Sequence, residues 1–287
     1  MPIRKLLLPL TGTAAGAAAL GTAALVARRW DAHIAALHVR MDSRDVAPLA
    51  GEGLSGAMIE DMMSATERES GNRARAIRAL FEQAMQAEAI PIADLTPQTR
   101  LSASFSTTAG REDDLVAQQA RLADLTIVPH PDAGEDVSSS DALHAVLFDS
   151  GRPVLIAPRV APTSVGDRVC IAWNGTAESA TAVFGALAWL QRAEAVRVLA
   201  SEDYQRRGPS AQELQVYLAL HGIHSDLRVF RPIDREVGAG LLAAAQDFGA
   251  DLMAMGAYSH SRLRQLILGG VTRHVLEHAA LPVMMNR

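Results

Sequence analysis

Apolar and polar positions along the chain form blocks of two alternating kinds. Short apolar runs bounded by turn residues predict buried strands near 4–10, 33–39, 101–107, 124–129 and 153–157. Longer stretches between them carry helical spacing, near 14–30, 64–89, 111–122 and 138–149. The same alternation then returns, with strands near 168–173, 196–201, 225–231, 251–255 and 282–286, and helices near 177–192, 210–221, 236–248 and 271–279. Strands that alternate with helices argue for βα units around a parallel sheet. Ser64-x-x-Glu67 and Ser210-x-x-Glu213 have capping-box spacing and place two of the helix starts.

One block permits a different reading. Leu6 to Ala27 is uncharged, follows Arg4 and Lys5, and ends at Arg28-Arg29, which also describes a membrane span or an export signal. The run is mostly Ala, Gly and Thr, which insert weakly, and Pro9 and Gly12 interrupt it early. A strand, a Thr-Gly-Thr turn and an Ala-rich helix explain it better. Self-similarity supports that choice. Lys5–Leu20 aligns without gaps on Arg168–Val183, each an apolar strand, a polar-Gly-Thr turn and a helix. Leu122-Ala-Asp-Leu matches Gly249-Ala-Asp-Leu, and Arg152-Pro-Val-Leu-Ile matches Leu281-Pro-Val-Met-Met. The chain therefore reads as two copies of one unit, residues 1–160 and 166–287, joined by the Pro- and Gly-bearing stretch 158–166. The first copy is longer through an insertion at Met41–Met63, whose Met58, Met62 and Met63 are expected to face the core.

Composition narrows the function. Of 287 residues, 49% are apolar and only 4% aromatic, so Ala, Leu and Val must build a globular core. A net charge of −5 gives no basic face for nucleic acid. One cysteine, Cys170, excludes a disulfide framework and sits in a predicted buried strand, which fits a cytoplasmic protein.

Candidate chemistry concentrates in Met255-Gly-Ala-Tyr-Ser-His-Ser-Arg-Leu-Arg-Gln-Leu-Ile-Leu-Gly-Gly-Val-Thr272. It follows the carboxyl end of a strand, where open parallel sheets bind ligands. Gly256 lacks a Cβ and would admit a ribose or phosphate closely. Gly269, Gly270, Val271 and Thr272 open the last helix, whose free N–H groups and positive dipole end suit a phosphate; Arg262 and Arg264 would add charge. By the same account, Gly256→Val should abolish binding and leave the fold intact.

These residues resemble the universal stress protein family, in tandem form. The family's nucleotide signature, G-x2-G-x9-G-[S/T], keeps its spacing here as Gly256, Ser259 and Gly269-Gly270. The resemblance covers both copies. It implies two doubly wound, Rossmann-like domains of the adenine nucleotide alpha hydrolase-like kind, each a five-stranded parallel α/β sheet of order 3-2-1-4-5. It also implies binding of ATP, AMP or another adenine nucleotide, with Mg, and a cytoplasmic role in stress response. Pairing through the last strand would make a pseudo-dimer of the domains, or a homodimer. Enzymatic activity is not expected beyond weak ATP hydrolysis, because no residue stands out as a base for water.

Three departures qualify that match. Ser259 stands for the second glycine, Gly270 for the small hydroxyl residue, and Asn174 for the first-strand acid that meets the adenosine. The expected nucleotide site comprises Ala172, Asn174, Met255, Gly256, Ser259, Gly269, Gly270, Val271 and Thr272. The first copy lacks the glycine spacing, and Asp132, Glu135 and Asp136 there would repel phosphates. Its site is expected to be degenerate. A scaffold without nucleotide, acting by protein–protein contact, is the alternative. Other motifs weigh less: His274-Val-Leu-Glu-His278 has zinc-peptidase spacing without a third ligand, and Gly238-x-Gly-x-x-Ala243 resembles a dinucleotide fingerprint but reads as small-residue packing.

Overall fold

The computed structural model describes residues 2–40, 56–97, 100–130, 141–202, 208–257 and 270–287. The first half runs β1 (Lys5–Pro9), α1 (Ala14–Trp30), β2 (His33–Arg40), α2 (Gly56–Ala87), β3 (Ser102–Ala109), α3 (Glu112–Ala120), β4 (Leu125–Val128), α4 (Asp141–Asp149) and β5 (Val154–Ile156). The second half runs β6 (Arg168–Ala172), α5 (Ala177–Leu190), β7 (Ala195–Ser201), α6 (Ala211–Leu220), β8 (Ser225–Phe230), α7 (Val237–Phe248), β9 (Leu252–Gly256), α8 (Gly270–His278) and β10 (Val283–Asn286). Among the described residues the strands form one ten-stranded sheet, in the order β3-β2-β1-β4-β5-β10-β9-β6-β7-β8. Each half therefore has the order 3-2-1-4-5 and is parallel throughout. The halves meet back to back, with β5 antiparallel to β10 and Val283 opposite Ile156. The fold is a doubly wound α/β sheet, as the resemblance implied.

Alternating side chains along the strands explain the layers. Leu6 and Leu8 of β1 join one core with α1, α2, α5 and α6 residues such as Ala23, Phe81, Val183 and Leu214. Leu7 points the other way, into a core with α3, α4, α7 and α8 residues such as Val116, Leu143, Leu241 and Val275. The helices thus cover both faces, which a parallel sheet requires. No helix among the described residues is long and apolar enough to cross a membrane. The Leu6–Ala27 run is instead the buried β1, a turn, and α1 packed on the sheet.

The repeat has a physical meaning at each matched position. Gly12 and Gly175 occupy equivalent turns with φ of +80° and +78°, the left-handed region in which glycine alone is unstrained. Asp124 accepts hydrogen bonds from the backbone of Arg4 and Lys5 at 2.8 and 3.0 Å. Asp251 does the same for Gly166, Asp167 and Arg168 at 3.0, 3.1 and 2.8 Å. One aspartate in each half thus satisfies the N–H groups at the start of the half's first strand, a charge-assisted arrangement.

Two expectations are corrected. Ser64 does not start a helix: α2 begins at Gly56, and Ser64 lies inside it. Met58–Met63 is rich in good helix formers, so the helix propagates upstream of the Ser-x-x-Glu pattern. Met58 and Met62 do not face the core either, being 51% and 41% exposed; α2 buries Ala74, Ile77, Phe81 and Met85 instead. The other capping box holds, with Ser210 Oγ accepting from Glu213 N at 3.2 Å and Glu213 Oε2 accepting from Ser210 N at 2.7 Å. Residues 41–55 of the insertion lie outside the described residues.

Two buried imidazoles make stability depend on pH. His33 sits between Ser102 Oγ and Ser104 Oγ, each at 2.8 Å. Ser102 Oγ donates to Arg100 O, so it accepts from His33 Nδ1, and Nε2 accepts from Ser104. His38 Nδ1 donates to Leu10 O at 2.7 Å. Burial pushes both below their ordinary value of 6.5. The unfolded chain therefore takes up protons first as pH falls through about 6.5, and the folded state loses stability until the folded pKa values are passed. The urea midpoint is expected to be lower at pH 5 than at pH 7.5, with His33→Gln reducing the difference. Equal midpoints in the unsubstituted protein would contradict this.

Candidate functional site

The crevice of a doubly wound sheet opens where neighbouring strands lead their crossovers in opposite directions. In the second half that point lies between β6 and β9, whose ends pair Ala172 with Met255. Two loops leave the sheet there, and the first turn of α8 follows the second. Of the nine residues expected at the nucleotide site, Ala172, Met255 and Gly256 end the two paired strands, and Asn174 lies two residues beyond β6. Gly270, Val271 and Thr272 form the first turn of α8. Ser259 and Gly269, with Arg262 and Arg264, lie outside the described residues.

Local chemistry explains the turn after β6. Asn174 Oδ1 accepts from Thr176 N at 3.2 Å and from Thr176 Oγ1 at 2.9 Å. Thr176 is the N-cap of α5, and its Oγ1 accepts in turn from Ser179 N at 3.3 Å. Asn-Gly-Thr is thus a relay that holds the helix start in place. The carbonyl of Asn174 belongs to that relay, so its amide N–H groups are the part suited to a ribose or base.

Gly256 has a second reason to be glycine. An added Cβ would stand 2.5 Å from Glu178 C and 2.5 Å from Ser179 N, in the first turn of α5. The strand end and the helix start touch backbone to backbone. The expectation that Gly256→Val would spare the fold is therefore withdrawn. Gly270 differs: a Cβ there would meet nothing within 4 Å among the described residues. Val271 packs on the α7–α8 core and Thr272 is buried, which anchors the helix start.

Sequence reasoning passed over Trp173. Its Nε1 donates to Pro209 O at 3.0 Å, and its ring borders a mostly apolar cavity of about 330 Å³ with Ala180, Val183, Leu214 and Tyr217. An aromatic residue directly after an apolar strand was the available signal. The other motifs resolve into packing. Gly238 faces His274, where a Cβ would stand 2.6 Å from that residue's Cβ, so the Gly-x-Gly stretch seats α7 against α8. The His274 and His278 rings stack 4.3 Å apart, and no group of three or more His, Cys, Asp or Glu among the described residues could hold a metal ion. Cys170 is fully buried, and that burial pushes its thiol up to about 12, so it is inert at neutral pH.

Comparison with known proteins agrees with this fold. Residues 167–287 match the model of the Universal stress protein family. A universal stress protein from Archaeoglobus fulgidus superposes with a TM-score of 0.72 at 16% identity, over 99% of this chain and 98% of that one. A functionally unknown protein from Pseudomonas aeruginosa superposes with a TM-score of 0.56 at 16% identity, over 99% of this chain and 92% of that one. At these identities the likeness establishes the fold. The search of curated proteins found no match. A universal stress protein domain thus occupies the second half, within a chain whose whole length follows the fold of the Archaeoglobus protein.

Proposed function

We propose that the chain is a tandem universal stress protein, with domains at 1–160 and 166–287, that binds one adenine nucleotide in the second. The observation that supports this reading is the switch point where the β6 and β9 ends pair Ala172 with Met255, with α8 as the next helix along the chain, inside the segment that matches the family. In this reading Asn174 meets the ribose or base, and Met255 and Gly256 line the nucleoside side. Ser259, Gly269, Gly270, Val271 and Thr272 hold phosphates through N–H and hydroxyl groups, aided by the dipole of α8. ATP with Mg, or AMP, would be the ligand, in a cytoplasmic role in stress survival. The protein works by binding; hydrolysis is at most slow.

Native mass spectrometry of the freshly purified protein tests the reading. One adenine nucleotide per chain is the expected result, and a bare polypeptide that also fails to take up added ATP would contradict it.

A second reading, a nucleotide-free scaffold, has a specific observation in its favour. Gly256 and the Asn174 carbonyl are both accounted for by the seating of α5 alone. Under that reading the same experiment returns no nucleotide.

A further inference from the structure

The first half has a cavity of its own, about 520 Å³, where α2 crosses the carboxyl ends of β1, β2 and β3. That volume suits a small-molecule ligand. Arg40 closes β2 and Arg73 comes from α2, so two separate elements bring a guanidinium to one space. Arg73 Nη2 donates to Thr11 O at 3.1 Å, which ties the arginine to the loop after β1. Arg40 Nε is buried and has no hydrogen-bond partner among the described residues. A buried donor without an acceptor is costly, and an anion in the cavity would supply one.

The rest of the wall supports a ligand that also carries hydroxyl groups. Glu69 and Glu112 border the same space, beside the hydroxyls of Thr66 and Ser70. Carboxylates accept from sugar-type hydroxyls, and they repel a highly charged group such as a triphosphate. His38 adds a neutral acceptor: Nδ1 donates to Leu10 O, which leaves Nε2 with a lone pair. Burial holds that imidazole below its ordinary range, and the charges of Arg73 and Arg40 hold it lower still, which places both guanidiniums within electrostatic reach of it.

We propose that this cavity binds a small hydroxylated anion, a sugar phosphate or a sugar acid, with its anionic group at Arg40 and Arg73 and its hydroxyls at Glu69 and Glu112. Guanidiniums match phosphate and carboxylate equally in their forked geometry, so both sources share the chemistry. The site is independent of nucleotide binding in the second half.

Calorimetry of the full chain with ribose 5-phosphate, and separately with gluconate, distinguishes the two sources, with uncharged ribose as the control. One of the anions is expected to bind once per chain, and ribose is not. Arg73→Gln, an exposed helix position, is expected to weaken binding about tenfold or more without changing the melting temperature. Arg40→Met is expected to weaken it likewise, and Gly270→Asp, in the other half, to leave it unchanged. The proposal is overturned if neither anion binds at millimolar concentration, if ribose binds as well as they do, if both arginine variants keep full affinity, or if Gly270→Asp abolishes the binding.

Discussion

Gly256→Val is expected to lower the stability of the protein by about 3 kcal/mol, the upper end of overpacking effects. The added Cβ alone would stand 2.5 Å from backbone atoms of Glu178 and Ser179, and two further methyl groups would follow it. Backbone cannot rotate aside as a flexible side chain can, so either β9 or the start of α5 must move. The relay of Asn174, Thr176 and Ser179 resists that movement, because it fixes the helix start to the end of β6. Urea denaturation checks the expectation, with Gly270→Ala as the comparison, since a Cβ at Gly270 meets none of the described residues within 4 Å. Gly270→Ala should stay near the parent midpoint. A Gly256→Val midpoint equal to it would show that the strand–helix contact is looser than described.

Trp189→Ala is expected to cost more, about 3–5 kcal/mol, the range for removing a large aromatic from a packed core. Trp189 lies in the last turn of α5 and is almost wholly buried, and its ring meets Trp30 of α1 edge to face at 5.3 Å and 79°. That contact joins the two halves on one face of the sheet. Around it, Arg192 lies over the Trp30 ring at 4.4 Å, and Arg29 pairs with Asp167 at 2.5 Å. The substitution would leave a cavity under these groups and loosen the seam beside β5 and β10. Thermal unfolding is the measurement. Trp189→Phe should lose less than Trp189→Ala, because it keeps part of the ring contact. An unchanged melting temperature for Trp189→Ala would mean that β5 and β10 hold the halves together unaided.

The two largest effects differ in how far the chain reveals them. Trp30 and Trp189 both lie in the last turns of corresponding helices of the repeat, but the alignment does not match them to each other, and their contact cannot be read from the sequence. The strand–helix alternation, the bounds of α1 and the second capping box were all legible, because each depends on neighbouring residues. The start of α2 was not, since the Ser64 pattern and the helix-forming residues before it give opposite answers. Asp124 and Asp251 could be matched as a repeated Ala-Asp-Leu, yet the N–H groups they satisfy lie more than eighty residues away in sequence. Gly256 shows the limit most clearly. Absence of a Cβ suits a ligand and suits a helix equally, and only the placement of α5 against β9 reveals the second use. Arg40 and Arg73 were invisible as a pair for the same reason. They meet because α2 crosses the ends of the strands, and no spacing in the sequence records that crossing.

The central claim is that the second half binds one adenine nucleotide against the first turn of α8. Gly270→Asp tests it most directly, because a Cβ there meets none of the described residues within 4 Å and an acidic residue at a helix start is compatible with the helix. Titration calorimetry with ATP and magnesium is therefore the deciding measurement, carried out on the parent protein and on Gly270→Asp at equal melting temperature. Saturable binding of one ATP per parent chain, lost in the variant through repulsion of the phosphates, is the predicted result. No binding by the parent at millimolar ATP, or equal binding by both proteins, would contradict it.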